Sequence, residues 1–400
     1  MGWLDFDAAA SERVGTMMRA LEEPGTLDAI GLGSVRDSFS AMLSPGTSTI
    51  QTRLRYFIFL PWIFTQLEAE RIAPAGYAAR LRSDEARLID CLRHLGPNNG
   101  VVGFSAGNKV KRMPSEAYWG GLRSWGLARL SYSLAEYAQR SSALGRLQHE
   151  RDDDGNTTER VISMWAQVPD APTDFLQANL TFDLELSEAE LLADLIRSRH
   201  PGTLLAVMCG NPSAAAAAEF PWEVPESGLP ANLVDLLRHA RCFSEITVGP
   251  QHVYNVMLAQ KARQDLGWDT SELESSERLK LDDWVDLMAD RHDELRDWAD
   301  DLPSFWALLS GNAVSDPTRS FIESMVPRVM VNPAGLADDP VMQGLVRDRE
   351  IRLKGKRARL AHRSALENWN QVPFGGQLNY RWPITKEYLA DLAAGLELGT

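Results

Sequence analysis

Residues 44–64 read SPGTSTIQTRLRYFIFLPWIF, the most distinctive passage in a chain of 400 residues. It begins with a Pro-Gly turn signal and hydroxyl side chains, continues with Arg53 and Arg55, and ends in the apolar block 56–64. An apolar block of this length is too short to cross a bilayer and suits a buried core segment. We therefore expect this passage to supply part of the centre of the core.

Two interpretations of the first half of this passage are open. Thr47, Ser48 or Thr49 can cap a helix that continues to Pro61, where the proline ring would kink or break it. Alternatively, apolar and polar residues alternate through the middle of the passage, as they do in a half-buried strand. We favour the helix because the apolar block does not alternate and is followed by strong helix formers.

The charge balance limits the partners that the surface can attract. With 55 acidic against 41 basic residues, the chain carries a formal net charge of −14. An acidic surface is a poor non-specific partner for nucleic acid or for an anionic membrane, so any phosphate-binding surface must be local. The 44% of hydrophobic and 24% of charged residues are typical of a folded globular protein.

The compartment is indicated by what the sequence lacks. It has three cysteines, no secretory signal and no apolar run long enough to span a membrane. We expect a cytoplasmic protein with no membrane partner.

Apolar residues recur at steps of three and four over most of the chain. We predict a mainly α, multi-helical fold of two units, with a few short β-strands in the middle of the chain. Residues 97–113, rich in glycine and asparagine, are the first place where a short strand and turns are expected. The polar run ERDDDGNTTER, residues 150–160, is typical of an exposed loop and marks the first domain boundary.

The predicted domains are three consecutive segments. Residues 1–150 form an N-terminal helical unit with a small strand and turn insertion. Residues 151–230 form an irregular connecting segment with one helix, and residues 231–400 form a C-terminal helical unit.

The passage around Gly46 is a candidate anion-binding site. If a helix begins here, Thr47, Ser48 and Thr49 offer hydroxyl and backbone N–H donors at its positive end. Arg53 and Arg55 can add charge-assisted hydrogen bonds to a phosphate or carboxylate. The alternative is a capped helix whose arginines pair with acidic neighbours such as Asp37 or Glu68.

A second candidate is the basic segment RDREIRLKGKRARLAHR, residues 347–363, which lies in a predicted helix of residues 340–366. A helix would place five of its cations on one stripe: Arg349, Arg352, Lys356, Arg359 and Arg363. Such a stripe can follow a nucleic-acid backbone or bind an acidic partner. The alternative is internal pairing with the acidic residues between Asp282 and Asp301.

No complete catalytic signature is present, and the catalytic residues are unknown. The sequence GFSAGNK at 103–109 has too few residues between its glycines to be a Walker phosphate loop. Cys91 and His94 with His239 and Cys242 would make a sensible zinc set, but each pair lies in an amphipathic helix where cysteine commonly fills the core. We predict no metal site and no cofactor.

Six blocks of the sequence together resemble a known family. They are GWLDF (2–6), SPGTSTIQTRLRYFIFLPW (44–62), PSEAYWGGLRSWG (114–126), CFSEITVGPQHVYNVMLAQ (242–260), REIRLKGKRARL (349–360) and GQLNYRWP (376–383). The resemblance is to an uncharacterised bacterial family encoded near helicase-like and phospholipase-D-like genes in phage-defence islands. It implies a cytoplasmic component of a multi-gene system that acts on or near foreign DNA, and it supplies no catalytic residues.

These observations predict a non-catalytic subunit of a bacterial anti-phage defence complex, which binds a partner protein, nucleic acid or both through the basic segment. Its expected partners are other defence-system proteins and DNA. One alternative is a nuclease or nucleotide-processing enzyme with a novel site near Thr47 to Arg55. A second is a purely structural scaffold whose basic stripe is paired internally.

Overall fold

The computed structural model describes residues 28–70, 72–129, 131–144, 164–312 and 314–398. The GWLDF block at 2–6 and the polar run at 150–160 lie outside these ranges.

The chain forms two compact units, each built from separate segments. The first comprises Met1–Phe39 and Asp235–Leu378, and the second comprises Ser40–Val234 and Asn379–Thr400. The division into consecutive domains 1–150, 151–230 and 231–400 stays a prediction.

The described residues contain fifteen α-helices, numbered in chain order. They are α1 (Gly33–Leu43), α2 (Tyr56–Glu70), α3 (Pro74–Leu92), α4 (Pro114–Ser124), α5 (Leu134–Leu144), α6 (Leu186–Arg199), α7 (Leu204–Met208), α8 (Ala231–Leu266), α9 (Ser271–Asp290), α10 (His292–Asp300), α11 (Leu302–Leu308), α12 (Asp316–Val331), α13 (Pro340–Lys354), α14 (Arg363–Glu367) and α15 (Trp382–Glu397). Short 3₁₀ helices lie at Arg93–Leu95, Gly107–Lys109, Pro212–Ala215, Pro221–Glu223, Leu336–Asp338 and Gly355–Arg357. The prediction of a mainly α fold is confirmed.

The prediction of short β-strands in the middle of the chain is wrong for the part of the chain that the structure describes. An isolated antiparallel bridge joins Ala128 and Trp165, and no strand extends from it. Residues 101–109 form turns and a 3₁₀ helix instead. Gly103 and Gly107 adopt positive φ angles of 76° and 53°, which interrupt an extended backbone.

Helix α2 forms the centre of the second unit. All nine residues from Tyr56 to Phe64 are buried, as expected for a helix that is apolar on every side. The ring of Phe57 stacks on Trp125 with 4.0 Å between centroids, and that of Phe64 stacks on Trp165 at 4.6 Å. The helix continues through Pro61 without a break.

The helix start expected at Thr47 to Thr49 is wrong, and so is the alternative strand, because α2 begins only at Tyr56. The preceding backbone is held by side chains from distant parts of the second unit. The Tyr118 hydroxyl accepts from the N–H groups of Thr52 and Arg53, and Asp391 accepts from that of Leu54. Since these N–H groups already have partners, the segment needs neither helix nor strand.

Helix α8 supplies a buried polar face to the first unit. The amide of Asn255 exchanges hydrogen bonds with the backbone of Phe374, and Gln251 donates to the carbonyl of Gly376. Ser244 accepts from the N–H of Leu378. These contacts hold residues 374–378, which form neither helix nor strand, against α8.

Helix α13 ends at Lys354, so the predicted continuous helix over residues 340–366 is wrong. Gly355 follows with a φ of 52°, a left-handed conformation that stops a helix and that glycine adopts without strain. The basic segment is therefore divided among a helix end, a 3₁₀ turn and the start of α14.

Candidate functional site

Arg349 joins α13 to the interior of the first unit. Its guanidinium donates to the carbonyls of Ile30 and Gly31 at 3.1 and 2.9 Å, and to the hydroxyl of Thr318 at 2.8 Å. The residue is 5% exposed, and burial lowers the pKa of its guanidinium. Arg349 therefore orients α13 within the unit.

Glu350 holds the turn that follows α13. Its buried carboxylate accepts from the Tyr254 hydroxyl at 2.6 Å and from the backbone N–H groups of Arg359 and Leu360 at 3.1 and 2.9 Å. Lys354 adds an ion pair at 3.3 Å, although burial lowers the pKa of this lysine. Four donors thus converge on one carboxylate and fix the position of the turn.

Four cations lie on the outside of this framework: Arg347, Arg352, Lys356 and Arg357. All four are exposed, and their side chains make no ion pair or hydrogen bond with any described residue. We call this group the cationic surface. No side chain among the described residues neutralises these charges, and hydrogen bonds to Glu350 hold the turn that carries two of them.

The predicted stripe is only partly realised. Arg352 and Lys356 belong to the cationic surface, whereas Arg349 is engaged inside the unit. Arg359 is half-buried beside Tyr254, and Arg363 is exposed but pairs with Glu367 at 3.0 Å.

Arg347 and Arg357 lie within the predicted basic segment but outside the predicted stripe, and the role of Glu350 in holding the turn was not predicted. Gly355 in the middle of the basic segment was the available signal, because a glycine commonly ends a helix.

Internal pairing with the acidic helices, the predicted alternative, is not seen among the described residues of the first unit. No ion pair connects residues 347–363 with residues 282–301. Arg291 instead pairs with Glu245 and Glu294, at 2.8 and 2.7 Å. Part of the negative charge in residues 282–301 is therefore neutralised by Arg291, which lies within that stretch.

In the second unit, the two arginines of the candidate anion site are held by carboxylates. Arg53 pairs with Asp391 and, at 3.3 Å, with Glu387. Arg55 lies 2.9 Å from Glu188 and donates to the carbonyl of Thr181. Burial raises the pKa of Asp391, although the hydrogen bonds from Arg53 act in the opposite direction.

The pairing partners differ from those expected. Asp37 contacts Arg36, and the buried carboxylate of Glu68 accepts from Tyr137 and Trp165. The true partners of Arg53 and Arg55 come from α6 and α15, more than 130 residues away in sequence.

The three hydroxyl residues of the candidate site have different surroundings. Thr47 is buried and donates to the carbonyl of Ser44 at 2.6 Å, while its own carbonyl accepts from Arg381. Ser48 is half-buried and its N–H donates to Gln51, whereas Thr49 is exposed. Anion binding at this passage stays a prediction.

The two Cys and His pairs belong to different units, and the imidazole of each pair has a hydrogen-bond partner within its own unit. His94 lies 3.0 Å from the carbonyl of Cys91, and the ring nitrogen of His239 accepts from Trp298 at 2.9 Å. Burial raises the pKa of the Cys242 thiol. Among the described residues, no group of three or more His, Cys, Asp and Glu side chains is placed to hold a metal ion.

The fold and the cationic surface together define a helical protein with an exposed basic turn on an acidic chain. By sequence, the chain belongs to DUF6361, a family of unknown function whose model matches residues 1–395. No curated protein and no solved structure matches it. Within the described ranges, every helix is too short or too polar to cross a membrane.

Proposed function

We propose that this protein is a non-catalytic binding subunit and that its first unit contacts a nucleic-acid backbone through the cationic surface of Arg347, Arg352, Lys356 and Arg357. The observation that carries the proposal is that these cations are exposed and have no ion-pair partner in the described part of a chain with 14 excess negative charges. In the anti-phage complex that the resemblance implies, this surface would join the subunit to DNA.

The surroundings of the surface support a binding role. Ile351 and Leu353 lie between the cations in sequence and are 37% and 41% exposed. Exposed aliphatic side chains can cover the sugar edges of a strand whose phosphates the cations neutralise. The rigid turn lowers the cost of ordering these long side chains when the ligand binds.

The test replaces all four cations by glutamine and measures binding to a fluorescent DNA duplex by anisotropy. We expect the affinity to fall at least about tenfold, and the slope of log affinity against log salt to fall by about 3 to 4, because about 0.9 counterion is released for each phosphate contact.

A matched control removes the same charge elsewhere in the first unit. Arg238, Lys261, Arg296 and Arg319 each pair with an acidic residue one helical turn away, so replacing them by glutamine costs little stability. We expect wild-type binding from this control. Equal weakening by both variants, or by neither, would contradict the proposal, and binding to polyglutamate but not to DNA would assign the surface to an acidic protein.

A further inference from the structure

The loop between α3 and α4 in the second unit carries another group of cations. Lys109, Lys111 and Arg112 are exposed, and their side chains have no ion pair or hydrogen bond with any described residue. The side chain of Arg82, on α3, donates to the carbonyl of Val110 at 2.9 Å. Val110 is the residue between Lys109 and Lys111, so this contact brings a further guanidinium to the loop. The loop therefore has a high local density of positive charge.

The loop is held firmly against the helical core. The N–H of Val102 donates to the hydroxyl of buried Tyr56 at 3.0 Å, and the hydroxyl of Thr52 donates to the carbonyl of Gly100 at 2.6 Å. Within the loop, the N–H of Gly107 donates to the carbonyl of Gly103 at 2.7 Å. These bonds fold residues 100–110 into a compact turn.

The turn packs the backbone that precedes an aromatic residue against the segment that carries the cations. A Cβ atom on Gly103 would lie 3.1 Å from that of Val110, so the backbone next to Phe104 touches the residue between Lys109 and Lys111. Phe104 is half-buried, and its ring stacks on no other described aromatic residue. The loop thus combines unpaired cations with a partly exposed aromatic ring.

We propose that this loop binds single-stranded nucleic acid, with Lys109, Lys111 and Arg112 neutralising phosphates and Phe104 stacking on a base. Non-specific single-strand binding uses this combination of cations that follow the backbone and an aromatic face that accepts any base. An acidic peptide would be attracted by the same cations, but it carries no base that could stack on the aromatic ring. The inference concerns a different unit from the cationic surface and does not depend on it.

Two variants test the inference by anisotropy with a labelled oligothymidylate of about 20 nucleotides and with a duplex of equal length. The first replaces Lys109, Lys111 and Arg112 by glutamine, and the second is Phe104→Leu, which keeps an apolar side chain but removes the aromatic face. Both are made in the wild-type chain and in the chain that already carries the four substitutions of the cationic surface. This background separates failure of one surface from failure of the other.

We expect the triple variant to weaken oligothymidylate binding at least about tenfold, and Phe104→Leu to weaken it about fivefold while duplex binding stays unchanged. A control with Arg123, Arg129 and Arg140 replaced by glutamine removes the same charge from exposed positions of the second unit and should bind like wild type. Thermal melting of each variant confirms that it is folded.

Four results would overturn the inference. They are no binding of the oligonucleotide in either chain, no loss in the triple variant, equal loss in the control, and an unchanged affinity of Phe104→Leu. Binding of polyglutamate as tight as that of the oligonucleotide would instead assign the loop to an acidic peptide.

Discussion

Buried carboxylates in this protein differ according to the donors that reach them. Burial raises the pKa of Glu85 to about 7. Burial acts in the same direction on Glu277, but hydrogen bonds from His252, Lys280 and Asn255 outweigh it and lower the pKa to about 2. At the residue scale, the number and charge of the donors decide whether a buried carboxylate stabilises the fold as an anion or as an acid.

Glu85→Gln should remove a pH dependence of stability. A glutamate with a pKa near 4.5 when unfolded and about 7 when folded binds more protons in the folded state between these values. The free energy of unfolding that depends on protonated Glu85 is fully present below pH 4.5 and is lost as the pH rises through 7. We expect the variant to gain about 2 to 3 kcal/mol relative to wild type between about pH 5 and about pH 8.

Urea denaturation of both proteins at the two pH values measures this difference. Glu190→Gln, at an exposed position of α6, controls for the change in net charge. A constant stability difference between the Glu85 variant and wild type across this range would show that Glu85 does not titrate in the way described.

At the scale of elements, close packing of helices depends on positions that have no side chain. In α4, a Cβ atom on Gly121 would lie 2.6 Å from the carbonyl oxygen of Gly46 and 2.7 Å from the ring of Phe57. A Cβ atom on the adjacent Gly120 would meet nothing within 4 Å. The two glycines share a helix but differ in whether a neighbour blocks a side chain.

Gly121→Ala should destabilise the protein by about 2 kcal/mol or more, because neither the backbone carbonyl nor the packed ring can move easily. Gly120→Ala should leave stability unchanged or raise it by up to about 1 kcal/mol, since alanine favours the helix. Chemical denaturation of the two variants checks the pair. Equal effects would mean that the approach of α4 to Gly46 and Phe57 is looser than described.

At the scale of the whole molecule, the position of charges matters more than their sum. The chain carries 14 excess negative charges, yet each unit has a group of exposed cations that pair with none of the described residues. Repulsion between a polyanion and the acidic surface is largely screened beyond about 10 Å at moderate salt, whereas cations in direct contact with phosphates lie well within that distance. Local surfaces of this kind can therefore attract a nucleic acid to an acidic protein.

A combined variant tests this view. Replacing all seven cations of the two surfaces by glutamine should abolish measurable nucleic-acid binding between about 50 and 300 mM salt. The combination of the two control sets removes the same total charge and should retain binding. If both combinations bind equally, net charge rather than position determines the interaction.

Much of the fold could be predicted from the sequence, because helical periodicity is a local property. The helical periodicity predicts helices over residues 34–43, 187–199, 317–331 and 383–396, and α1, α6, α12 and α15 have nearly these bounds. The boundaries of α2 and the end of α13 could not be placed, since distant groups decide them: Tyr118 and Asp391 for the first, and the donors that converge on Glu350 for the second. The cationic surface differs from the predicted stripe for the same reason: distant carbonyls engage Arg349, which leaves Arg352 and Lys356 as the exposed members of the stripe that belong to the surface.

The sequence by itself determined that residues 56–64 are a core segment, that the protein is mainly helical, and that residues 347–363 hold a local excess of positive charge in an acidic chain. Apolar patterning and charge can be read along the chain without knowing its path. Only the tertiary structure decided that Arg53 and Arg55 are paired, that Arg349 is internal, and that Lys356 and Arg357 are exposed with no ion pair to the residues at 28–70, 72–129, 131–144, 164–312 and 314–398. Whether a charge is available depends on carboxylates and carbonyls brought near it from distant parts of the sequence, and the fold alone places them there.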